Sequence, residues 1–204
     1  MEKARDTDNM LGSILALFSR YGIRSVTMED ISRELGVSKK TLYQHFSDKN
    51  ELINRIIDYE IIQRNQFTEN LAGSGYNAID ELIHVNRKIH SSISSHNPTF
   101  YFNLKKYYPD VFKRWMEHKR KVMYELIFRN MKQGKEEGLY RSDLDEHIIV
   151  RLYMARMEML NDNEIIGNEE TVSHKFIREI FIYHLHGICN MEGLDYLAQQ
   201  KERI

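Results

Sequence analysis

The stretch from Thr27 to Lys49, TMEDISRELGVSKKTLYQHFSDK, constrains the fold more than any other part of the chain, because every local signal in it belongs to short helices joined by a tight turn. Thr27 is a favoured N-cap residue, and Asp30 stands three positions on, where an acid closes a capping box. Ile31 and Leu35 then share one face of a short first helix. Gly36 supplies the turn, Val37 can drop into a small core, and Ser38 can cap a second helix running from Lys39 to about Phe46. Ser47, Asp48 and Lys49 open a further helix.

The second of these helices has two different sides. At roughly 100° per residue, Leu42 and Phe46 fall close together and can pack on Ile31, Leu35 and Val37. Lys40, Thr41 and Gln44 project from the opposite side. Lys and Gln side chains hydrogen-bond base edges in the DNA major groove, and Thr offers both a hydroxyl and a methyl. Tyr43 and His45 flank that face, where a phenol or an imidazole reaches phosphate oxygens. Lys49, near the start of the next helix, is placed for a phosphate contact. The residues therefore describe a DNA-reading helix-turn-helix. An amphipathic hairpin in an ordinary helical domain would explain the apolar positions but not the outward Lys, Thr, Tyr and Gln.

At these residues the sequence resembles the DNA-binding domain of the TetR family of transcriptional regulators. That family carries "T-x-x-x-I-A" followed by "G-V-S-x-x-T-L-Y-x-H-F-x-x-K", and here Gly36, Val37, Ser38, Thr41, Leu42, Tyr43, His45, Phe46 and Lys49 match without a gap. Ser32 departs from it, standing where a small apolar residue usually follows Ile31. The resemblance covers about the first sixty residues. It implies that Lys39, Lys40, Thr41 and Gln44 read a palindromic operator, that Thr27, Tyr43, His45 and Lys49 clamp phosphates, and that Ser38 belongs to the same DNA-binding set.

The remaining chain reads as all-α. Only Pro98 and Pro109 interrupt long stretches of apolar residues at helical spacing. A leading helix begins near Asp8 and carries Met10, Ile14, Leu17 and Phe18 inward until Gly22 stops it. Leu52 to Ile61 continue the helix that leaves the head. Ala72 to Asn77 form a loop. Further helices are expected at about 77–95, 98–107, 109–137, 143–160 and 169–192, with Ser142 or Asp143 capping the fourth of these and Gly193 ending the last. That makes about nine helices, the count the resemblance implies. They divide into a three-helix DNA-binding head with its linking helix at 1–57 and a helical ligand-binding and dimerisation body at 58–204.

Charge narrows the possibilities for the head. The chain carries a formal net charge of -1, and its first fifty residues hold eight Lys or Arg against seven Asp or Glu. Specificity must then come from placed residues rather than from a general polyanion field, which disfavours an architectural DNA binder that needs no effector. One cysteine, Cys189, permits no internal disulfide and suits a reducing cytoplasm, the expected location. No apolar run is long enough to span a membrane, and Met1 to Asn9 does not resemble a signal peptide.

No phosphate loop, G-x-S-x-G or H-E-x-x-H motif is present. His184 and His186, two apart on a helix, point about 200° apart and cannot chelate one metal. No catalytic, metal or cofactor site is expected, and an enzyme would need an active site invisible to motifs.

The two last long helices, about 143–160 and 169–192, are apolar around much of their circumference and need cover on both sides. The family's dimers bury this pair as a four-helix bundle, so the resemblance implies a homodimer through them. An unknown small-molecule effector is the other implied partner. The aromatic group Phe100, Tyr101, Phe102, Tyr107, Tyr108, Phe112, Trp115 and Tyr124 could line its pocket or form core. Arg87, His90, His118, Arg151 and Arg156 could each pair with a ligand group.

Overall fold

The computed structural model describes residues 2–95, 98–159 and 174–200. Among these the chain is all-α, with ten helices and a single isolated antiparallel bridge between Tyr140 and Cys189. The helices are α1 (Glu2–Tyr21), α2 (Met28–Glu34), α3 (Lys39–His45), α4 (Lys49–Ala72), α5 (Ala78–Ser95), α6 (Pro98–Tyr107), α7 (Pro109–Glu136), α8 (Glu146–Met159), α9 (His174–Ile188) and α10 (Met191–Gln199).

Packing divides the chain into two compact units. Met1–Phe67 with Ser95–Lys119 form the first, and Thr68–Ser94 with Arg120–Ile204 the second. The first unit is larger than the head expected at 1–57 because α6 and the start of α7 belong to it. Phe100, Leu104 and Trp115 enter the same buried cluster as Ile14 and Phe18 of α1, Ile31, Leu42, Phe46, and Leu52, Ile53 and Ile56 of α4. Tyr101 stacks on Trp115 at 5.3 Å between ring centroids, and Tyr108 and Phe112 pack against the cluster. Most of the aromatic group therefore serves as core. Phe102 and Tyr107 are exposed, and Tyr107 receives the Arg24 guanidinium on its hydroxyl.

The second unit is organised around a buried polar centre. Glu81 of α5, 2% exposed, is paired with Arg129 of α7. The fully buried Asn130 donates to the Glu81 carboxylate at 2.7 Å and to the Ala78 carbonyl at 2.8 Å. Its Oδ1 accepts from the Tyr140 hydroxyl at 3.0 Å. Leu82, Ile83, Leu126, Ile127, Val150, Phe181 and Leu185 are buried apolar residues of the same unit.

Three helix ends differ from the sequence expectation. α1 starts at Glu2, before Asp8, in keeping with the good helix formers Lys3, Ala4 and Arg5. α8 starts at Glu146, and its cap is Asp145, which accepts from the Ile148 amide at 3.0 Å; Asp143 is instead paired with Arg141 at 2.7 Å. The last expected helix stops at Ile188, and a tenth begins at Met191. The interruption is caused by the 138–141 segment: Arg141 donates its amide to the Ile188 carbonyl and Asn190 donates to that of Leu139. Asn190 then caps α10 by accepting from the Gly193 amide. Gly193 thus lies inside a helix rather than ending one. A Cβ there would sit 2.1 Å from the Leu139 carbonyl oxygen, so only glycine permits this approach. The expected connection 161–168 and the start of the final helix at 169–173 lie outside the described residues, as does the His90 side chain.

Candidate nucleic-acid interface

The caps that start α2 and α3 form as their residue types dictate. Thr27 accepts from the Asp30 amide at 3.2 Å, and the Asp30 carboxylate accepts from the Thr27 amide at 2.9 Å, closing the capping box. Ser38 accepts from the Thr41 amide at 3.0 Å. Between the helices Gly36 adopts φ +65°, a left-handed conformation in which a Cβ is strained. Val37 donates to the Ser32 carbonyl at 3.0 Å, which closes the turn. Ser32 is buried, and its hydroxyl donates to the Glu29 carbonyl of its own helix at 2.9 Å. This explains why a serine is accommodated where the family pattern has a small apolar residue.

Leu42 and Phe46 are fully buried and anchor α3 to the head. Away from them, Lys39, Lys40, Tyr43 and Gln44 are exposed along one helix, with Tyr43 half open to solvent. Thr41 is half-buried, its hydroxyl 2.8 Å from that of Ser38, so both hydroxyls take part in the cap. His45 is half-buried beside Phe46, their ring centroids 6.1 Å apart. Thr27 is exposed at the start of α2. The expected residues of α3 are thus brought onto one element.

Lys49 is placed differently from the others. It is half-buried, and its ammonium donates to the carbonyls of Ile23, at 2.6 Å, and Val26. It also lies 5.7 Å from the centre of the Phe18 ring. Burial pushes its pKa down, while the Asp30 carboxylate opposes that shift. Lys49 therefore ties the first turn of α4 to the loop that precedes α2, and positions the α4 N-terminus relative to it.

Sequence reasoning missed one member of this surface. Glu29 of α2 holds the Lys39 ammonium at 2.6 Å, with both side chains exposed. The hydrogen bond from Lys39 holds the Glu29 carboxyl below its ordinary value. No periodicity within one helix signals a contact ten positions away between two helices.

The capping carboxylate makes the head acid-sensitive in a predictable direction. The Thr27 hydrogen bonds hold the Asp30 carboxyl below its ordinary value, so the unfolded chain binds that proton more readily. Its contribution is present above the ordinary carboxylate pKa and is lost as pH falls through the lowered one. Urea midpoints measured from pH 7 to pH 3 should fall, and Asp30→Asn should flatten part of that dependence.

Residues 11–56 match the profile of bacterial regulatory proteins of the tetR family. The HTH-type transcriptional regulator YvaF of Bacillus subtilis is 21% identical over 189 residues, covering 91% of this chain and 97% of its own length. The HTH-type transcriptional repressor KstR2 of Mycobacterium tuberculosis is 24% identical over 144 residues, or 67% of this chain and 70% of that protein. A TetR-family transcriptional regulator from Streptomyces coelicolor has the same fold, with a TM-score of 0.63 at 24% identity over 92% of this chain and 97% of that one.

Proposed function

Because the chain belongs to the tetR family of bacterial regulatory proteins and is a DNA-binding transcriptional regulator, we propose that it is a dimeric repressor released from a palindromic operator by a small-molecule effector. The observation that carries the DNA half is the division of α3 into a fully buried side, Leu42 and Phe46, and an exposed one, Lys39, Lys40, Tyr43 and Gln44. Lys39, Lys40, Thr41 and Gln44 enter the major groove and read base edges. Thr27, Ser38, Tyr43, His45 and Lys49 hold the phosphates that set the register. For Lys49 the route is its tie to the Ile23 and Val26 carbonyls, which fixes the α4 N-terminus.

The dimer half is supported by exposed apolar side chains on α8 and α9. Ile148 and Leu152 are 57% and 60% exposed one turn apart, and Tyr183 is 83% exposed. A second copy of the same two helices would cover them in an isologous contact. Two heads on one two-fold axis then engage two half-sites, and an effector that changes their separation by a few ångströms costs one head its contacts. The repressor reading also follows the name of the relative KstR2. Among the described residues no helix is long and apolar enough to cross a membrane; a cytoplasmic location fits a protein that reads DNA.

Fluorescence anisotropy against the DNA just upstream of the coding region, with scrambled DNA as control at near-physiological salt, tests this function. Tight binding that resists competitor is expected; equal affinity for both DNAs, repeated with fragments selected from random sequence, refutes it. Within that assay Gln44→Ala should change preference at one or two operator positions by about 1–3 kcal/mol per lost base contact. Tyr43→Phe should weaken all sequences alike, because a phosphate carries no sequence information. Equal profiles for the two variants across a randomised operator library would contradict this division of roles.

A further inference from the structure

Among the described residues of the second unit, Arg156 stands out as a cation whose hydrogen-bonding capacity is largely unused. Arg156 of α8 is half-buried, and its Nη1 donates to the Ile180 carbonyl of α9 at 3.0 Å. The guanidinium carbon lies 4.4 Å from the centre of the buried Tyr153 ring, which covers one face of the group. Among the described residues its Nε and Nη2 are shielded from solvent and meet no acceptor at full hydrogen-bonding geometry, the Tyr153 hydroxyl being a weaker polar neighbour of the group. The Nε2 atom of His184 on α9 is in the same condition, and that imidazole packs edge-on against the same Tyr153 ring at 5.1 Å.

The two guanidinium orphans share one geometry. Nε and Nη2 form one edge of the planar guanidinium, and their two N–H bonds point the same way, the arrangement that meets both oxygens of a carboxylate. The anchor on Ile180 and the Tyr153 ring hold that edge in one orientation. His184, as the Nε2–H tautomer, carries a further unmatched donor beside the same Tyr153 ring. Burial and the neighbouring guanidinium push its pKa down to about 3, so it stays neutral at pH 7.

The other inward-lying cations of this unit have acids of their own. Arg129 is paired with Glu81, and Lys135 with Glu146 at 2.7 Å. Arg156 has no carboxylate partner among the described residues. Buried donors are rarely left unmatched, and a charged one least of all.

We propose that the Nε/Nη2 edge of Arg156, together with His184 Nε2 and against the Tyr153 ring, is the seat of a carboxylate group, and that the effector is an organic acid. The inference rests on the effector half of the function proposed above. A carboxylate could also come from the partner subunit of a dimer, and the test separates the two sources.

The experiment uses the full-length protein and straight-chain carboxylates from butanoate to decanoate, with benzoate, each compared with its methyl ester. Melting temperature, operator affinity and dimer dissociation by sedimentation are measured in parallel. The expected result is that at least one acid raises the melting temperature while its ester does not. Arg156→Gln then weakens that acid by about 10- to 100-fold, the loss expected for a charge-assisted pair. Arg156→Lys, which keeps the charge but not the fork, loses most of it too. Glu136→Gln, an exposed change elsewhere in the same unit, alters nothing.

Because the acid and ester comparison is made on the unaltered protein, it decides even if a variant fails to fold. The proposal is overturned if no acid is preferred over its ester. It is overturned as well if Arg156→Gln leaves the preference intact, or weakens the dimer instead, which would place a partner carboxylate on that edge. Binding through Arg156 with no change in operator affinity supports the seat and removes the effector role. Operator release by an ester, unaffected by Arg156→Gln, keeps the effector role and overturns the seat.

Discussion

Phe46→Ala is expected to lower the stability of the first unit by about 3–5 kcal/mol, the cost of truncating a fully buried aromatic side chain, and to abolish operator binding. Phe46 is fully buried, and the Arg55 guanidinium lies 5.4 Å from its ring centre. It is the C-cap residue of α3, with its amide donating to the Leu42 carbonyl at 3.0 Å. Removing the ring leaves a cavity beneath α3 and takes away one of the two side chains, with Leu42, that fix its orientation. Denaturant unfolding followed by the fluorescence of Trp115, which lies in the same cluster, measures the stability loss. DNA anisotropy at a temperature where the variant remains folded separates lost orientation from lost structure. A variant that keeps parental stability and operator affinity would mean that α3 is positioned by something other than its buried face.

Asn130→Leu should have an effect of similar size in the second unit. Asn130 makes three buried hydrogen bonds at once, to the Ala78 carbonyl, the Glu81 carboxylate and the Tyr140 hydroxyl. Leucine fills the volume but satisfies none of them. Glu81 keeps Arg129 as its partner, yet loses a donor in a place where water cannot replace it. Breaking a buried polar centre in this way costs about 3–5 kcal/mol. If the protein is the dimer proposed above, the variant loses it, and operator affinity falls with it. Sedimentation together with urea unfolding checks it; a stable dimeric variant would show that the network contributes little.

The two variants probe regions that differ in how legible they were in the sequence. The helix-turn-helix is local: Thr27 with Asp30, Gly36, and Ser38 with Thr41 interact within four residues of each other. Residue type and spacing were therefore enough to place the caps, the turn, and the buried and exposed sides of α3. The long-range contacts left no such pattern. Glu29 reaches Lys39 across two helices, and the Lys49 ammonium turns back to carbonyls 23 and 26 residues earlier. The aromatic residues around Pro98 and Pro109 fit either a pocket or a core by composition, and packing against α1 and α4 made most of them core.

The same distinction holds in the body. Helical spacing located α5 to α8 within a few residues, because an amphipathic stripe repeats every turn whatever it packs against. The break between α9 and α10 carried no proline and no left-handed glycine. It arises because the 138–141 segment takes the carbonyl of Ile188 and supplies one to Asn190, and because Gly193 alone tolerates the Leu139 oxygen. Arg156 was visible as one of several inward cations; only the structure distinguished it, by giving Arg129 and Lys135 their acids and leaving one guanidinium edge unmatched. The sequence by itself determined the all-α class, the capped helix α3 and its exposed residues, since these depend on propensities and contacts within a turn or two. Tertiary structure decided which distant groups meet, because hydrogen-bond satisfaction and close packing depend on atoms that the chain brings together only once it has folded.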